Sequence, residues 1–301
     1  MKEAIKTRRS RNHSIDYAPR YSSLQGASEY AEQLEHVEHV EHVEQLEHLE
    51  QLTQKDQPAQ QESSTYAPPT RTSVSHNHQP YWENEHYSTE MAEKSDKTIH
   101  FYNRFAPYYD RGYRSYLRHT HDKFMEMLGD THPEDRILDL SGGTGMLAER
   151  LIQEQRPFAH LTVNDPSLGM LNSAMKKLPT RMDLTYTHHK AEELPFADGS
   201  FDVICSLNSF HYYTDQAAVL QQAWHLLSPG GRLLLLDWNL EGFFYVPNFV
   251  IKSLSPEYID TKHVGYHEEV LPEIGFSVKR SETWRWRYWN FYRLEARKTL
   301  G

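Results

Sequence analysis

The first candidate functional segment places an acidic residue shortly before a glycine-rich turn. The segment ILDLSGGTGML begins as an apolar strand and runs into a glycine-rich turn, with Asp139 before the turn and Ser141 inside it. Gly143, Gly145 and Ala148 satisfy the dinucleotide pattern G-x-G-x-x-A, which by itself is weak evidence. Backbone N–H groups at the start of a helix favour an anion, either a phosphate or a carboxylate. The turn is therefore compatible with a diphosphate site, an amino-acid site, or a tight corner without a ligand.

Two acids favour the amino-acid interpretation. Asp139 places a carboxylate where it would repel a diphosphate and attract an amino group. Asp165 follows the next apolar run, near the spacing at which an acid meets the hydroxyl groups of a ribose. The alternative for Asp165, together with Pro166 and Ser167, is that it only caps the following helix. Spacing alone does not decide between a ribose contact and a cap.

The strands that must position these residues alternate with helices along the chain. From residue 98 onward this alternation predicts an α/β fold with a mostly parallel, doubly wound sheet. Ligands of such sheets bind beyond the carboxyl ends of the strands, where both acids lie. A break in the Trp and Arg alternation near residues 288–290 predicts a turn, and hence an antiparallel final strand. The predicted strands are Arg136–Leu140, His160–Asn164, Leu184–His188, Phe201–Ser206, Arg232–Asp237, Phe276–Arg285 and Phe291–Lys298.

Helices are predicted between and around these strands. Thr214 and Asp215 suit the start of one helix, and the turn at residues 228–231 ends it and leads into the next strand. The predicted helices are Met146–Gln155, Leu168–Lys177, Thr214–Leu227, one around His267–Ile274, and an opening helix around Phe124–Leu128.

The N-terminal third of the chain has a different composition. Residues 1–97 are rich in Pro, Ser, Gln and His, which predicts a disordered, low-complexity tail, whereas residues 98–301 form one domain. The tail contains QLEHVEHVEHVEQLEHLEQL, whose apolar residues recur every three positions and would wind around a helix, so no coiled coil is expected. Its alternating His and Glu residues would suit a divalent metal, but a solvated segment is favoured and no metal site is predicted.

Composition argues against several classes of protein. The 301 residues carry a net charge of −10, much of it from eight glutamates between residues 21 and 54, which argues against a nucleic-acid binder. A single cysteine excludes an internal disulfide framework. No apolar run reaches the length of a membrane span, and no secretory signal follows the basic N-terminus. We expect a cytoplasmic protein without stable membrane insertion, and the oligomeric state stays open.

Four segments of the predicted domain form an ordered set: ILDLSGGTG, VNDPSLGML, AEELPFADGSFDVICSLNSFHYYTD and HLLSPGGRLLLLD. In order and spacing they resemble the motifs of class I S-adenosylmethionine-dependent methyltransferases. With FYNRFAPYYDRGY ahead of them, they are most similar to the small-molecule branch that includes ubiquinone and menaquinone biosynthesis methyltransferases. The resemblance implies a Rossmann-like, seven-stranded sheet and S-adenosylmethionine as the cofactor.

The resemblance also implies roles for single residues. Asp139 and the glycines of the turn would line the methionine end of the cofactor, and Asp165 would bind its ribose. Two residues would lie near the acceptor: His211 as the candidate proton acceptor and Tyr109 as an orienting residue of the pocket wall. The implied cofactor-binding residues are Asp139, Ser141, Gly142, Gly143, Gly145, Asp165, Pro166, Ala191, Glu192 and Asn208.

Two residues depart from the family pattern. Ser141 occupies the first glycine position of the turn, and Lys190 replaces an acid that often accepts a hydrogen bond from the adenine amino group. They motivate an alternative function, in which the protein binds S-adenosylmethionine without transferring its methyl group and acts as a regulator or partner subunit. An NAD-dependent oxidoreductase is disfavoured by Asp139 and by the later motifs.

The expected acceptor is a small, aromatic or apolar molecule. In this architecture the acceptor pocket is usually formed by the segment before the first strand and by the stretch after the fifth. Both are aromatic here, as FYNRFAPYYDRGYRSY and DWNLEGFFYVPNF. Core packing would produce the same aromatic residues, so composition alone does not establish the acceptor.

Overall fold

A computed structural model of the protein describes residues 89–299. The Glu and His repeat and most of the predicted tail lie outside the described residues. The predicted domain boundary at residue 97 falls inside a helix, because the first described helix begins at Thr89.

Seven strands form one sheet with the order β3-β2-β1-β4-β5-β7-β6. Strands β1 to β5 pair in parallel, and β7 is antiparallel to both of its neighbours, β5 and β6. The predicted mostly parallel sheet with an antiparallel final strand is thereby confirmed. The strands are β1 (Arg136–Asp139), β2 (His160–Asn164), β3 (Leu184–Thr187), β4 (Phe201–Leu207), β5 (Leu227–Trp238), β6 (Phe276–Trp286) and β7 (Trp289–Lys298).

Seven α-helices accompany the sheet within residues 89–299. Two of them, the first and the sixth, were not predicted from the sequence. Short 3₁₀ turns cover Phe210–Tyr212 and Gly242–Phe244. The α-helices are α1 (Thr89–Gly112), α2 (Arg114–Leu128), α3 (Met146–Gln153), α4 (Leu168–Lys177), α5 (Gln216–Leu226), α6 (Tyr245–Leu254) and α7 (Val264–Ile274).

The core lies on both faces of the sheet. Ile137 and Leu138 of β1 are fully buried but belong to separate apolar clusters, because successive side chains of a strand point to opposite faces. One cluster packs beneath Phe124 of α2, and the other packs beneath Leu220 of α5. Burial on both faces is typical of parallel sheets and explains why these strands read as continuous apolar runs. No helix in the described part of the chain is long and apolar enough to cross a membrane.

Helix α1 approaches the start of α4 closely. The Asn103 Oδ1 atom accepts hydrogen bonds from Ser167 Oγ at 3.0 Å and from the backbone N–H of Gly169 at 2.8 Å. A Cβ atom at Gly169 would lie 2.3 Å from the backbone oxygen of Asn103. Only glycine therefore permits this contact, which holds α1 beside the carboxyl ends of the strands.

Replacing Gly169 with alanine is expected to lower the free energy of unfolding by about 1–3 kcal/mol, because the added methyl group forces α1 away from α4. Chemical denaturation measures the loss. Gly112→Ala, at the end of the opposing helix α1, is the control, since a Cβ atom there would meet Phe105 at an ordinary 3.5 Å. Equal destabilisation by both substitutions would contradict the close-approach explanation.

Candidate functional site

A cavity opens at the carboxyl edge of the sheet, between the strand ends and α1. Its empty volume is about 740 Å³, with the open mouth included. Ser95, Thr98 and Tyr102 of α1 form one wall, and the loops after β1, β2, β3 and β4 form the others. The sequence-predicted residues that line it are Tyr109, Ser141, Gly143, Asp165, Pro166, Ala191, Glu192 and Asn208.

Four predicted residues lie near the cavity without lining it. Gly142 and Gly145 shape the turn from behind, Asp139 lies beneath the turn, and His211 lies behind the wall. Their predicted roles therefore depend on the geometry described below.

The glycines of the turn are required for different reasons. A Cβ atom at Gly142 would lie 2.6 Å from Val163 Cγ1, so packing excludes a side chain. Gly143 and Gly145 have φ angles of 55° and 75°, in the left-handed region that glycine tolerates. Ser141 does not have a positive φ, and its Oγ atom lies 2.8 Å from Tyr213 Oη. The serine therefore fits this turn, and Tyr213 provides its partner.

Ser141→Gly is expected to lower the free energy of unfolding by about 1–2 kcal/mol, since it removes one hydrogen bond and adds backbone freedom to the unfolded chain. Cofactor affinity should change by less than about threefold, because the hydroxyl group points to Tyr213. Thermal unfolding and calorimetric titration with S-adenosylhomocysteine measure the two quantities. A large loss of affinity would indicate that the serine contacts the ligand directly.

Asp139 is a buried acid without a protein donor. Its side chain is 3% exposed, and no described residue donates a hydrogen bond to its carboxylate. Burial, reinforced by the nearby charge of Asp165, raises the pKa of Asp139 from 3.8 to about 7. An unpaired carboxylate in such a place favours a cation, because a positive group would restore the ionised form. An ammonium group beside the glycine turn fits this requirement.

Asp165 is held in position by two backbone N–H groups. Its Oδ2 accepts from the Gly143 N–H at 2.9 Å, and its Oδ1 accepts from the Ser167 N–H at 2.8 Å. Burial raises the pKa of Asp165 to about 6, although these two N–H groups lower it. Each carboxylate oxygen retains a free lone pair, so Asp165 can still accept from a hydroxyl group in the cavity. The capping and ribose interpretations are therefore compatible.

Asn164 is a structural residue of the site that the sequence interpretation missed. Its fully buried amide donates to the backbone oxygens of Leu140 and His189 at 2.8 and 3.0 Å. Its oxygen accepts from Thr187 Oγ1 at 3.1 Å. The ends of three neighbouring strands are thereby fixed relative to one another. A polar residue at the last position of an otherwise apolar strand is the signal that could have identified it.

Lys190 lines the cavity and forms an ion pair with Asp96 of α1 at 2.9 Å. Because its partner is an exposed residue of another element, the lysine links α1 to the loop after β3. Next to it, burial raises the pKa of the Glu192 carboxyl group. The residue that departs from the family pattern therefore joins the two walls of the cavity.

Asn208 has a left-handed backbone, with a φ of 58°, at the end of β4. Asparagine tolerates this conformation better than most residues. Its Oδ1 accepts from Tyr116 Oη at 3.0 Å and its Nδ2 donates to Thr120 Oγ1 at 2.8 Å. The side chain therefore anchors β4 to α2, while the residue itself forms part of the cavity wall.

His211 and Asp237 form a buried pair. The Nδ1 atom of His211 lies 2.5 Å from Asp237 Oδ1, and its backbone N–H donates to Oδ2 at 3.0 Å. The His211 ring stacks on Trp238, with 3.8 Å between the ring centroids. The centroid of the Tyr212 ring lies 4.0 Å from that of His211. Nε2 is buried without a hydrogen-bond partner in the described part of the chain. The pair has the arrangement of a base, but Tyr212 and not His211 faces the cavity, so its catalytic role stays a prediction.

Comparisons with known proteins agree with the observed fold. Residues 137–231 match the methyltransferase domain family. The ubiquinone/menaquinone biosynthesis C-methyltransferase UbiE of Klebsiella pneumoniae is 29% identical over 199 residues, which are 62% of this chain and 72% of the relative.

Two solved structures share the fold at low sequence identity. A Haloferax volcanii methyltransferase, solved with its Trm112 activator, has a TM-score of 0.58 and 17% identity, covering 66% of this chain and 98% of its own. An N-methyltransferase of Haemonchus contortus, solved with phosphomonomethylethanolamine and S-adenosylhomocysteine, has a TM-score of 0.54 and 18% identity. The match covers 60% of this chain and 52% of the Haemonchus chain.

Proposed function

We propose that this chain is a class I S-adenosylmethionine-dependent methyltransferase whose acceptor is a small aromatic or apolar molecule. The observation that carries the proposal is the tyrosine wall of the cavity, to which Tyr102, Tyr109 and Tyr212 contribute. Tyr102 packs edge-on against both of the others, at centroid distances of 6.0 and 5.5 Å. Such a wall suits a planar, largely apolar ring.

The proposed cofactor placement follows from the polar side of the cavity. Asp139 would hold the ammonium group of the methionine moiety, and Gly143 would bring backbone close to it. Asp165 would accept hydrogen bonds from the ribose hydroxyl groups, each contributing about 1.5–3 kcal/mol. Pro166, Ala191 and the neighbouring Glu192 would enclose the adenine. The unpaired carboxylate of Asp139 is the feature of this chain that the cofactor's amino group would satisfy.

S-adenosylmethionine supplies an electrophilic methyl group when it is bound. The residues of this chain then have to align the acceptor with that group and exclude water, which can account for about 7–11 kcal/mol of the barrier. Helix α1 closes one side of the cavity, and Tyr109 and Tyr212 limit where a ring can lie. His211, paired with Asp237, is the predicted base behind this wall.

The relatives support a more specific acceptor class. Their name assigns them to C-methylation in ubiquinone and menaquinone biosynthesis. A quinol-like ring would fit the tyrosine wall, and we propose this class as the first to be tested. A cytoplasmic location and the absence of a nucleic-acid partner stay predictions.

The test combines binding with turnover. Calorimetric titration with S-adenosylmethionine, S-adenosylhomocysteine and NAD should show binding of the first two only. Methyl transfer should then be detected with hydroquinones in an acceptor panel that also contains amines and peptides. Transfer to peptides alone would contradict the proposed acceptor. Binding without any transfer would favour the alternative of a regulator or partner subunit.

A further inference from the structure

A buried carboxyl group lies behind the tyrosine wall and has no role in the binding scheme above. Glu257, in the loop between α6 and α7, is 9% exposed. Its Oε2 atom has no hydrogen-bond partner in the part of the chain that the structure describes. Because an unpaired buried carboxylate destabilises the folded protein, packing alone does not account for it.

The loop that carries Glu257 forms the outer layer of the cavity wall. The backbone N–H of Tyr258 donates to Thr98 Oγ1 at 2.9 Å. Further along, the N–H of Asp260 donates to the backbone oxygen of His211 at 2.8 Å. Thr98 lines the cavity directly, and His211 adjoins the lining residue Tyr212. Glu257 is therefore separated from the cavity by one layer of side chains.

That layer contains a connected pair of hydroxyl groups. Tyr102 Oη donates to Tyr212 Oη at 2.7 Å, and both residues line the cavity. The Tyr102 hydroxyl group lowers the pKa of the Glu257 carboxyl group, and Thr98, which holds the Glu257 loop, lies one helical turn before Tyr102. Hydroxyl hydrogens rotate to suit their partners, so a proton can pass from Tyr102 to Glu257 while Tyr212 donates to Tyr102.

The surroundings of Glu257 bring the pKa of its carboxyl group close to neutral pH. The groups that face it are Tyr102 and Tyr109 of α1, Tyr113 just beyond that helix, and Tyr212 of the 3₁₀ turn. Burial raises the pKa of each tyrosine, so all four are neutral. Burial also raises the pKa of Glu257 to about 7, although its own backbone N–H and Tyr102 lower it. The carboxyl group can thus both take up and release a proton near neutral pH.

We propose that Glu257 receives, through Tyr102, the proton that a hydroxyl-bearing acceptor loses during methylation. This inference rests on the proposed function and narrows the acceptor to phenols, hydroquinones or enols. The acceptor oxygen, or a ring carbon conjugated with it, forms a bond to the methyl group as the methyl–sulfur bond breaks and its electron pair stays on sulfur. Overall one proton leaves the acceptor, passes to Glu257 in place of the predicted base His211, and is returned to solvent. Glu257 is a positioning residue for the proton, because it does not line the cavity and acts through Tyr102, which does.

The first arm of the test measures kcat/KM against pH, with hydroquinone as the acceptor. The wild-type value should rise with pH and level off above about 7, where Glu257 is ionised. Glu257→Gln and Tyr102→Phe should each lower the plateau about a hundredfold and remove this rise. Glu269→Gln, the same substitution at an exposed position of α7, should match the wild type. Equal binding of S-adenosylhomocysteine by all variants confirms that each is folded.

The second arm does not depend on turnover. Carbon-13 NMR of protein labelled at the glutamate carboxyl carbons identifies the Glu257 signal as the one that Glu257→Gln removes. The pH titration of this signal should have its midpoint near pH 7, and the midpoint should shift when hydroquinone binds in the presence of S-adenosylhomocysteine. In the Tyr102→Phe variant, the titration midpoint of the Glu257 signal should not shift when hydroquinone binds.

The outcomes separate this inference from the proposed function. Wild-type protein that methylates no acceptor overturns the proposed function, and the NMR result still decides whether Glu257 is coupled to a bound hydroxyl group. A Glu257→Gln protein with the wild-type rate and pH profile overturns the role of Glu257 and leaves the methyltransferase assignment intact. A Glu257 titration midpoint that does not shift when hydroquinone binds to the wild type overturns that role as well.

Discussion

Asp139→Asn is expected to stabilise the ligand-free protein while it weakens cofactor binding at least about tenfold. The stabilisation follows from the buried, unpaired carboxylate, whose charged form opposes folding. The loss of affinity follows from the missing partner for the ammonium group. Above pH 7 the melting temperature should rise by at least about 3 °C, measured by differential scanning calorimetry, and calorimetric titration gives the affinity.

The pH dependence of this effect has a definite sign. The pKa of Asp139 is 3.8 in the unfolded chain and about 7 in the folded protein, so the folded protein binds the extra proton between these values. The free energy of unfolding of the wild type therefore falls as pH rises from about 4 to about 7, and Asp139→Asn should lack this contribution. Affinity for S-adenosylmethionine should rise over the same window in the wild type, because binding requires the ionised acid.

A matched control distinguishes a site effect from a general change in charge. Asp198→Asn removes the same charge at an exposed position, and both its stability and its affinity should follow the wild type. If Asp139→Asn melts at a lower temperature than the wild type at pH 8, the carboxylate has a stabilising partner and its proposed role as an ammonium ligand is wrong.

Asp165→Ala is expected to weaken binding of S-adenosylhomocysteine at least about tenfold, because it removes the acceptor for the ribose hydroxyl groups. It also leaves the N–H groups of Gly143 and Ser167 without their partner, so the glycine turn and the start of α4 lose a shared support. Calorimetric titration measures the affinity, and thermal unfolding measures the structural part of the effect. Unchanged affinity would reject the ribose assignment.

Asp165→Asn separates the two roles of this acid. Its single side-chain oxygen can keep one of the two backbone hydrogen bonds, and its amide group cannot accept. An intermediate affinity is therefore expected. Asp198→Ala, an exposed aspartate, serves as the control for charge.

The sheet could be predicted from the sequence because its strands are buried on both faces and read as apolar runs. Two helices could not. The first half of α1 is polar, as in TEMAEKSDKTIH, and it follows directly on low-complexity sequence. Helix α6 carries exposed apolar residues such as Phe249 and Leu254, so its pattern does not separate an inner from an outer face.

The position of the proposed cofactor-binding residues at one edge of the sheet could be predicted from the sequence, and that of Glu257 could not. Asp139 and Ser141 lie where β1 ends and Asp165 lies where β2 ends, and these positions are visible in the sequence. Glu257 and Tyr102 are far apart along the chain, and only the tertiary structure brings them together. The fit of Ser141 also required the structure, since its partner Tyr213 follows a different strand.

The two sides of the cavity come from different stretches of the chain. The family match covers residues 137–231, which include the glycine turn, Asp165 and the loop after β3. Helix α1 and the Glu257 loop lie outside that match. With the roles proposed above, acceptor preference can change through residues 89–112 and 255–263 while the segments proposed to bind the methyl donor stay unaltered.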